Sequence, residues 1–194
     1  AVTLPWTMTY NGATTNALSV SANGWISLGA SLGTNYTPIS SATAATGVIS
    51  AMGGDLQGTA TGTMQYTTIG TTPARVFVVQ WANWSKYPSS TYGTTHIYNF
   101  QVRIYENSNN IEIMYGAQTS NTYSFTYQVG LRGATNADFI NRSGTGAWTA
   151  STAGTLNSST MTMGIGATIQ PATGTRWTFM QTPGNGYCVP TYST

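Results

Sequence analysis

Arg75-Val-Phe-Val-Val-Gln-Trp81, then Asn99-Phe-Gln-Val-Arg-Ile-Tyr105 and Ile111-Glu-Ile-Met-Tyr115, read as three β-strands. The first run is apolar at both parities, the pattern of an interior strand. The second alternates, with Phe100, Val102 and Ile104 on one face and Gln101, Arg103 and Tyr105 on the other. Glu106-Asn-Ser-Asn-Asn110 supplies turn residues, and the third run returns with Ile111, Ile113 and Tyr115 in phase. Pairing Ile104 with Ile111 and Val102 with Ile113 keeps every inward residue inward. The same register sets Arg103 opposite Glu112 on the outer face. The expected core is Phe77, Val79, Trp81, Phe100, Val102, Ile104, Ile111 and Ile113.

Short β runs separated by Gly, Asn, Ser and Pro continue on both sides. They include 18–20 and 25–28 around a turn at Ala22-Asn-Gly24, then 48–52, 62–67, 123–131, 161–165 and 176–179. No segment keeps a helical period over three turns. About ten such strands predict an all-β, antiparallel two-sheet β-sandwich, jelly-roll-like. Residues 1–181 read as one domain. Residues 182–194, with Pro183, Gly184, Gly186 and Pro190, read as a linker or the start of a following module. The nearly all small and polar region 147–159 reads as a long connection.

Charge is the unusual property of the composition. Only 5% of residues are charged, against roughly 25% in ordinary soluble domains. The hydrophobic share of 40%, of which 12 points are aromatic, rules against a disordered polar tract. Six basic residues scattered along the chain build no cationic face, so the pI of 8.8 is no argument for nucleic acid. No run reaches the roughly 20 apolar residues of a membrane helix. A surface of Thr, Ser, Asn and Gln suits a secreted or cell-surface setting.

Ordered motifs then carry a resemblance. Asn23-Gly-Trp-Ile-Ser-Leu-Gly29, Ile49-Ser-Ala-Met-Gly-Gly-Asp-Leu-Gln57, the stretch from Gly70 to Trp81, Asn99-Phe-Gln-Val-Arg-Ile-Tyr-Glu106 and Gln128-Val-Gly-Leu-Arg-Gly133 follow one another. They resemble a β-rich surface module of Bacteroidota type IX-secreted extracellular proteins, with a nidogen-like pattern. The family pattern is more charged at the central strand, where this chain has Ala74 and Gln80. The resemblance implies an extracellular location and a place within an array of modules. It also implies that Gly186-Tyr-Cys-Val-Pro-Thr-Tyr-Ser193 opens a further Cys-containing module, with Cys188 in an inter-module disulfide.

Chemistry-bearing residues are sparse: His96, Asp55, Asp138, Glu106, Glu112 and Cys188. Two glutamates on one hairpin do not frame a glycosidase cleft, and no Gly-x-Ser-x-Gly elbow is present. The chain is therefore expected not to be an enzyme and to need no cofactor. Asp55 in the Gly53–Gly58 turn is a weak metal candidate, since one carboxylate rarely makes a calcium site. The better binding candidates are aromatic. Trp84, Tyr87 and Tyr92 fall between strands, where exposed rings stack on sugar faces, with Asn83 and Lys86 as hydrogen-bonding neighbours. Two functions follow. One is a non-catalytic structural or adhesive module whose partners are copies of itself or neighbouring modules. The other is a carbohydrate-binding module using the 81–98 loop. Neither involves nucleic acid or membrane insertion.

Overall fold

The computed structural model describes the whole chain except Thr94, Ser120, Asn121, Asn185 and Val189. Its named strands form two antiparallel sheets, and the chain fills them in blocks. Strands β1 (Val2–Tyr10), β2 (Ala13–Ser21), β3 (Trp25–Leu28) and β4 (Gly47–Gly53) make a meander in the first sheet. The chain then crosses to the second sheet for β5 (Leu56–Ile69), β6 (Val76–Lys86), β7 (Tyr98–Tyr105) and β8 (Ile111–Tyr115). It returns for β9 (Phe125–Arg132), β10 (Phe139–Ser143), β11 (Thr152–Ala153) and β12 (Met161–Met163), and ends in the second sheet with β13 (Arg176–Phe179) and β14 (Thr191–Ser193). The first sheet runs β1-β2-β3-β4-β9-β10-β11, with β12 also on β9; the second runs β14-β13-β8-β7-β6-β5.

The hairpin that decides the fold has the register its sequence predicts. Val102 faces Ile113, Ile104 faces Ile111 and Arg103 faces Glu112. All eight expected core residues are buried. On the outer face Arg103 lies 3.4 Å from Glu112, and Arg176 of β13 approaches the same carboxylate at 3.9 Å. Arg103 also donates through Nε to Gln101, which donates to Gln80 across the strands.

Four strands lie outside the ten anticipated: β1, β10, β11 and β14. The β1–β2 hairpin turns on Asn11-Gly12, both with positive φ, the requirement of a tight two-residue turn. The Asn23-Gly24 pair behaves differently. Ser21 pairs with Trp25, so three residues make that connection, with Gly24 at φ 78°. Asn23 is drawn inward instead of forming a two-residue turn. Its amide donates to Thr34 O at 2.9 Å, and its Oδ1 accepts from the Leu56 amide at 3.1 Å.

Region 147–159 is also more than a connection. Trp148 opens a short 3₁₀ turn and is buried edge-on to Tyr115, with Nε1 donating to Thr162 O. The tail, which reads as a linker, contributes β14. Its Tyr192 packs on Trp177 with ring centroids 4.9 Å apart, and Tyr187 packs on Tyr10 at 5.1 Å. Aromatic area offsets the backbone entropy its Gly and Pro residues otherwise favour spending as open chain.

A third layer covers the outer face of the first sheet. Residues 29–46 lie across β4 and β9 and bury a small cluster of Trp25, Leu32, Ala45 and Val48. This layer explains why β3 and β4 are buried on both faces. Polar residues hold it. The Gln128 side chain accepts from the Ile39 amide at 2.7 Å and donates to Ser40 Oγ at 2.9 Å. The buried Arg132 guanidinium donates to the carbonyls of Pro38, Ser41, Thr43 and Ala134.

Candidate functional site

A β-bulge decides where the aromatic residues point. Trp81 pairs with Phe100 and Trp84 with Tyr98, with the register shifting between them. Trp84 is three positions after Trp81, an odd spacing, so strict alternation would send Trp84 outward. The bulge at Ala82-Asn83, with Asn83 at φ 55°, restores the phase and turns both rings inward. Trp84 is buried, and its Nε1 donates to Ala22 O at 2.7 Å; Trp81 likewise reaches Ser21 O at 2.9 Å. These bonds tie the second sheet to the β2–β3 turn. Trp84 is therefore a core residue on β6 and not an exposed loop ring. Asn83 serves the bulge: its amide donates to Asn99 Oδ1 at 2.9 Å, and its side chain points to Thr61 O.

The other three candidates gather beside Asp55. Lys86 Nζ donates to the Asp55 carbonyl at 3.1 Å and lies 3.9 Å from its carboxylate. The ammonium also sits 5.8 Å from the Tyr92 ring centroid. Burial lowers the Lys86 pKa from the usual lysine range, and the Asp55 charge opposes that shift. Tyr92 closes a short helix (Ser89–Tyr92) and is itself packed edge-on against Phe125 and Tyr123. Tyr87 is half exposed, at 50%.

Two open clefts meet at this point. One, of about 480 Å³, is lined by Tyr36, Asp55, Lys86, Phe125 and Tyr127 among others. The second, of about 520 Å³, is lined by Asn23, Thr34, Tyr36, Asp55 and Tyr87. Tyr36 and Asp55 belong to both. Tyr36 is 57% exposed and is not among the aromatic candidates of the 81–98 loop. Its only signal is an aromatic residue in the polar loop Thr34-Asn-Tyr-Thr-Pro38. Tyr36 lines one cleft with Asp55 and Lys86 and the other with Asp55 and Tyr87, so each cleft combines phenol rings with hydrogen-bonding groups. As for metal, the described residues contain no group of three or more His, Cys, Asp or Glu side chains placed to hold an ion. The Asp55 carboxylate has the Lys86 ammonium 3.9 Å away.

The other titratable residues singled out in the sequence lie away from these clefts. Glu106 is held by Arg75, whose Nε and Nη2 reach its two carboxylate oxygens at 2.8 and 2.6 Å. That hydrogen-bonded pairing lowers the Glu106 pKa below its ordinary value. The contribution of the pair is thus present above the ordinary carboxylate range and is lost as pH falls through the lowered value. Asp138 accepts from the Asn11 side chain at the β1–β2 turn. His96 is buried, with Nε2 2.7 Å from Tyr92 O. Cys188 is an exposed free thiol whose amide donates to Met180 O.

A family model described as NIDO related matches residues 1–182. The chain belongs to the NIDO-related family. This NIDO-related module is thus of nidogen-like type, an extracellular kind of module, and the match covers the whole sandwich short of β14. No curated protein and no solved structure matches the chain. No helix among the described residues is long and apolar enough to cross a membrane.

Proposed function

We propose that this NIDO-related chain is a non-catalytic structural or adhesive module of secreted or cell-surface proteins, and that it binds copies of itself or neighbouring modules. The observation that carries this reading is the fate of its charges. Of six basic and four acidic side chains, Arg75, Lys86, Arg103, Arg176, Asp55, Glu106 and Glu112 are ion-paired within the chain. Arg132 and Arg142 are buried, and each donates to backbone carbonyls. Asp138 is taken by Asn11. Apart from these few paired charges, the exposed surface is Thr, Ser, Asn and Gln with scattered aromatic, aliphatic and Met side chains. Such a surface lacks the like-charge repulsion that keeps ordinary proteins apart. The Bacteroidota type IX route and a disulfide from Cys188 to another module rest on the motif resemblance alone.

Association through such a surface is expected to be nearly insensitive to salt. Sedimentation velocity from low salt to about 1 M monovalent salt should leave the association constant within a factor of about two, because few charges are there to screen. Dissociation over that range would contradict the reading.

The paired clefts favour a second reading, a module that binds a neutral oligosaccharide between Tyr36 and Tyr87 with Asp55 and Lys86 on its hydroxyl groups. On a glycan array, Tyr36→Ala and Tyr87→Ala should each weaken a bound neutral glycan about three- to tenfold, the scale of one lost aromatic stack. Unchanged binding in both variants would place the glycan elsewhere.

A further inference from the structure

Among the described residues the two sheet paths end on four strands, and three of these ends are protected. At the edge of the first sheet, β1 carries Pro5 and an irregular register between Thr3 and Met8. The opposite edge of that sheet, β11, is two residues long. In the second sheet β14 is three residues long and follows Pro190. Proline, bulges and shortness are the usual means of preventing edge-to-edge pairing.

The fourth edge has neither proline nor shortness, and its one bulge lies before Thr63. β5 spans Leu56–Ile69 without a proline or a charged residue. Its only strand partner among the described residues is β6. After a bulge between Gly58 and Thr63, it runs in unbroken register from Thr63↔Ala82 to Ile69↔Val76. Every residue from Thr63 to Ile69 is exposed. Three of them are large apolar side chains: Met64 at 42%, Tyr66 at 58% and Ile69 at 50% exposure. Alternate residues of such a strand direct their amide and carbonyl groups outward, away from β6.

We infer that the free edge of β5 pairs antiparallel with β5 of a second copy, through a two-fold axis at Tyr66. This inference rests on the self-associating reading above and names the surface it uses. The strand is complementary to itself in that register, which overlaps the whole regular stretch. Thr63 then faces Ile69, Met64 faces Thr68, Gln65 faces Thr67, and Tyr66 faces its own copy. Opposed residues share a sheet face, so Met64, Tyr66 and Thr68 of both copies extend the core face. Gln65 and Thr67 of both extend the outer face, beside Gln80 and Val78. No charge of either sign lies on the strand, so two copies meet without repulsion. A two-fold, same-surface contact closes as a dimer and joins the two six-stranded sheets into one.

The test uses charge exchange at the exposed outer-face positions. Gln65→Lys with Thr67→Lys places lysine opposite lysine at both outer pairs; Gln65→Glu with Thr67→Glu does the same with glutamate. Each double variant should keep the wild-type circular dichroism and melting temperature. By sedimentation equilibrium each should dimerise at least about tenfold more weakly than wild type, the effect of two like-charge cross-strand pairs. An equimolar mixture of the two should regain the dimer, and that dimer should be salt-sensitive where the wild type is not. A wild type that associates while both variants associate equally well would overturn the β5 interface and leave the self-associating reading standing. So would a mixture that fails to recover. A wild type that stays monomeric at all concentrations would overturn the self-associating reading itself.

Discussion

Val102→Asp is expected to remove a large part of the stability of this protein. Val102 is fully buried, opposite Ile113 on one side and Val79 on the other, in the middle of the second sheet. Its neighbours in the core are aliphatic and aromatic, and none offers a cation to an entering carboxylate. An aspartate there must either stay charged without a partner or take up a proton, and both cost free energy. We expect a loss of about 4 kcal/mol or more, against the roughly 5–15 kcal/mol that holds a typical domain. In thermal unfolding, a chain of this length should then melt about 8–16 °C lower. A soluble variant that melts with the wild type would show that Val102 is not an interior residue and that the β7–β8 register is wrong.

Arg132→Met should cost about 3–5 kcal/mol, through a different mechanism. The guanidinium is buried at the end of β9, and burial lowers its pKa from the usual arginine range. Nη1 donates to Pro38 O at 3.1 Å and Ser41 O at 2.9 Å; Nη2 donates to Thr43 O at 2.5 Å and Ala134 O at 3.3 Å. One fixed fork therefore satisfies carbonyls from the covering layer and from the chain just beyond β9 itself. Methionine keeps the aliphatic volume and leaves those carbonyls without donors in a site largely closed to water. A lysine ammonium is a point donor and does not span the four acceptors, so Arg132→Lys should recover only part of the loss. Hydrogen exchange separates local from global damage. Protection should fall first in residues 29–46, while amides of β7 and β8 follow only the global loss. Uniform loss of protection across the sandwich would mean that Arg132 supports the whole core and not this layer in particular.

The amino-acid sequence alone determined the class of this protein and the register of its central hairpin. A side-chain period of two allows one register in which Phe100, Val102 and Ile104 meet Ile111 and Ile113 on a common face, and that register brings Arg103 to Glu112. The scarcity of charge is equally a property of the chain as written. What depended on tertiary structure lies where the local period breaks or where distant segments meet. Trp84 points inward because of one bulge at Asn83, and no count along the strand reveals a bulge. Arg132 looks like any strand-end arginine until residues 29–46 fold over it. Tyr36 and Tyr87 are far apart in the chain and line one cleft, with Asp55 of the β4–β5 turn, only in the folded molecule. The exposure of β5 is set by sheet order: its Thr-rich sequence would suit an interior strand as well, and only the absence of a further neighbour makes it an edge. Alternation is a local consequence of backbone geometry and can be read from neighbouring residues, whereas coverage and edges depend on which remote segments pack together.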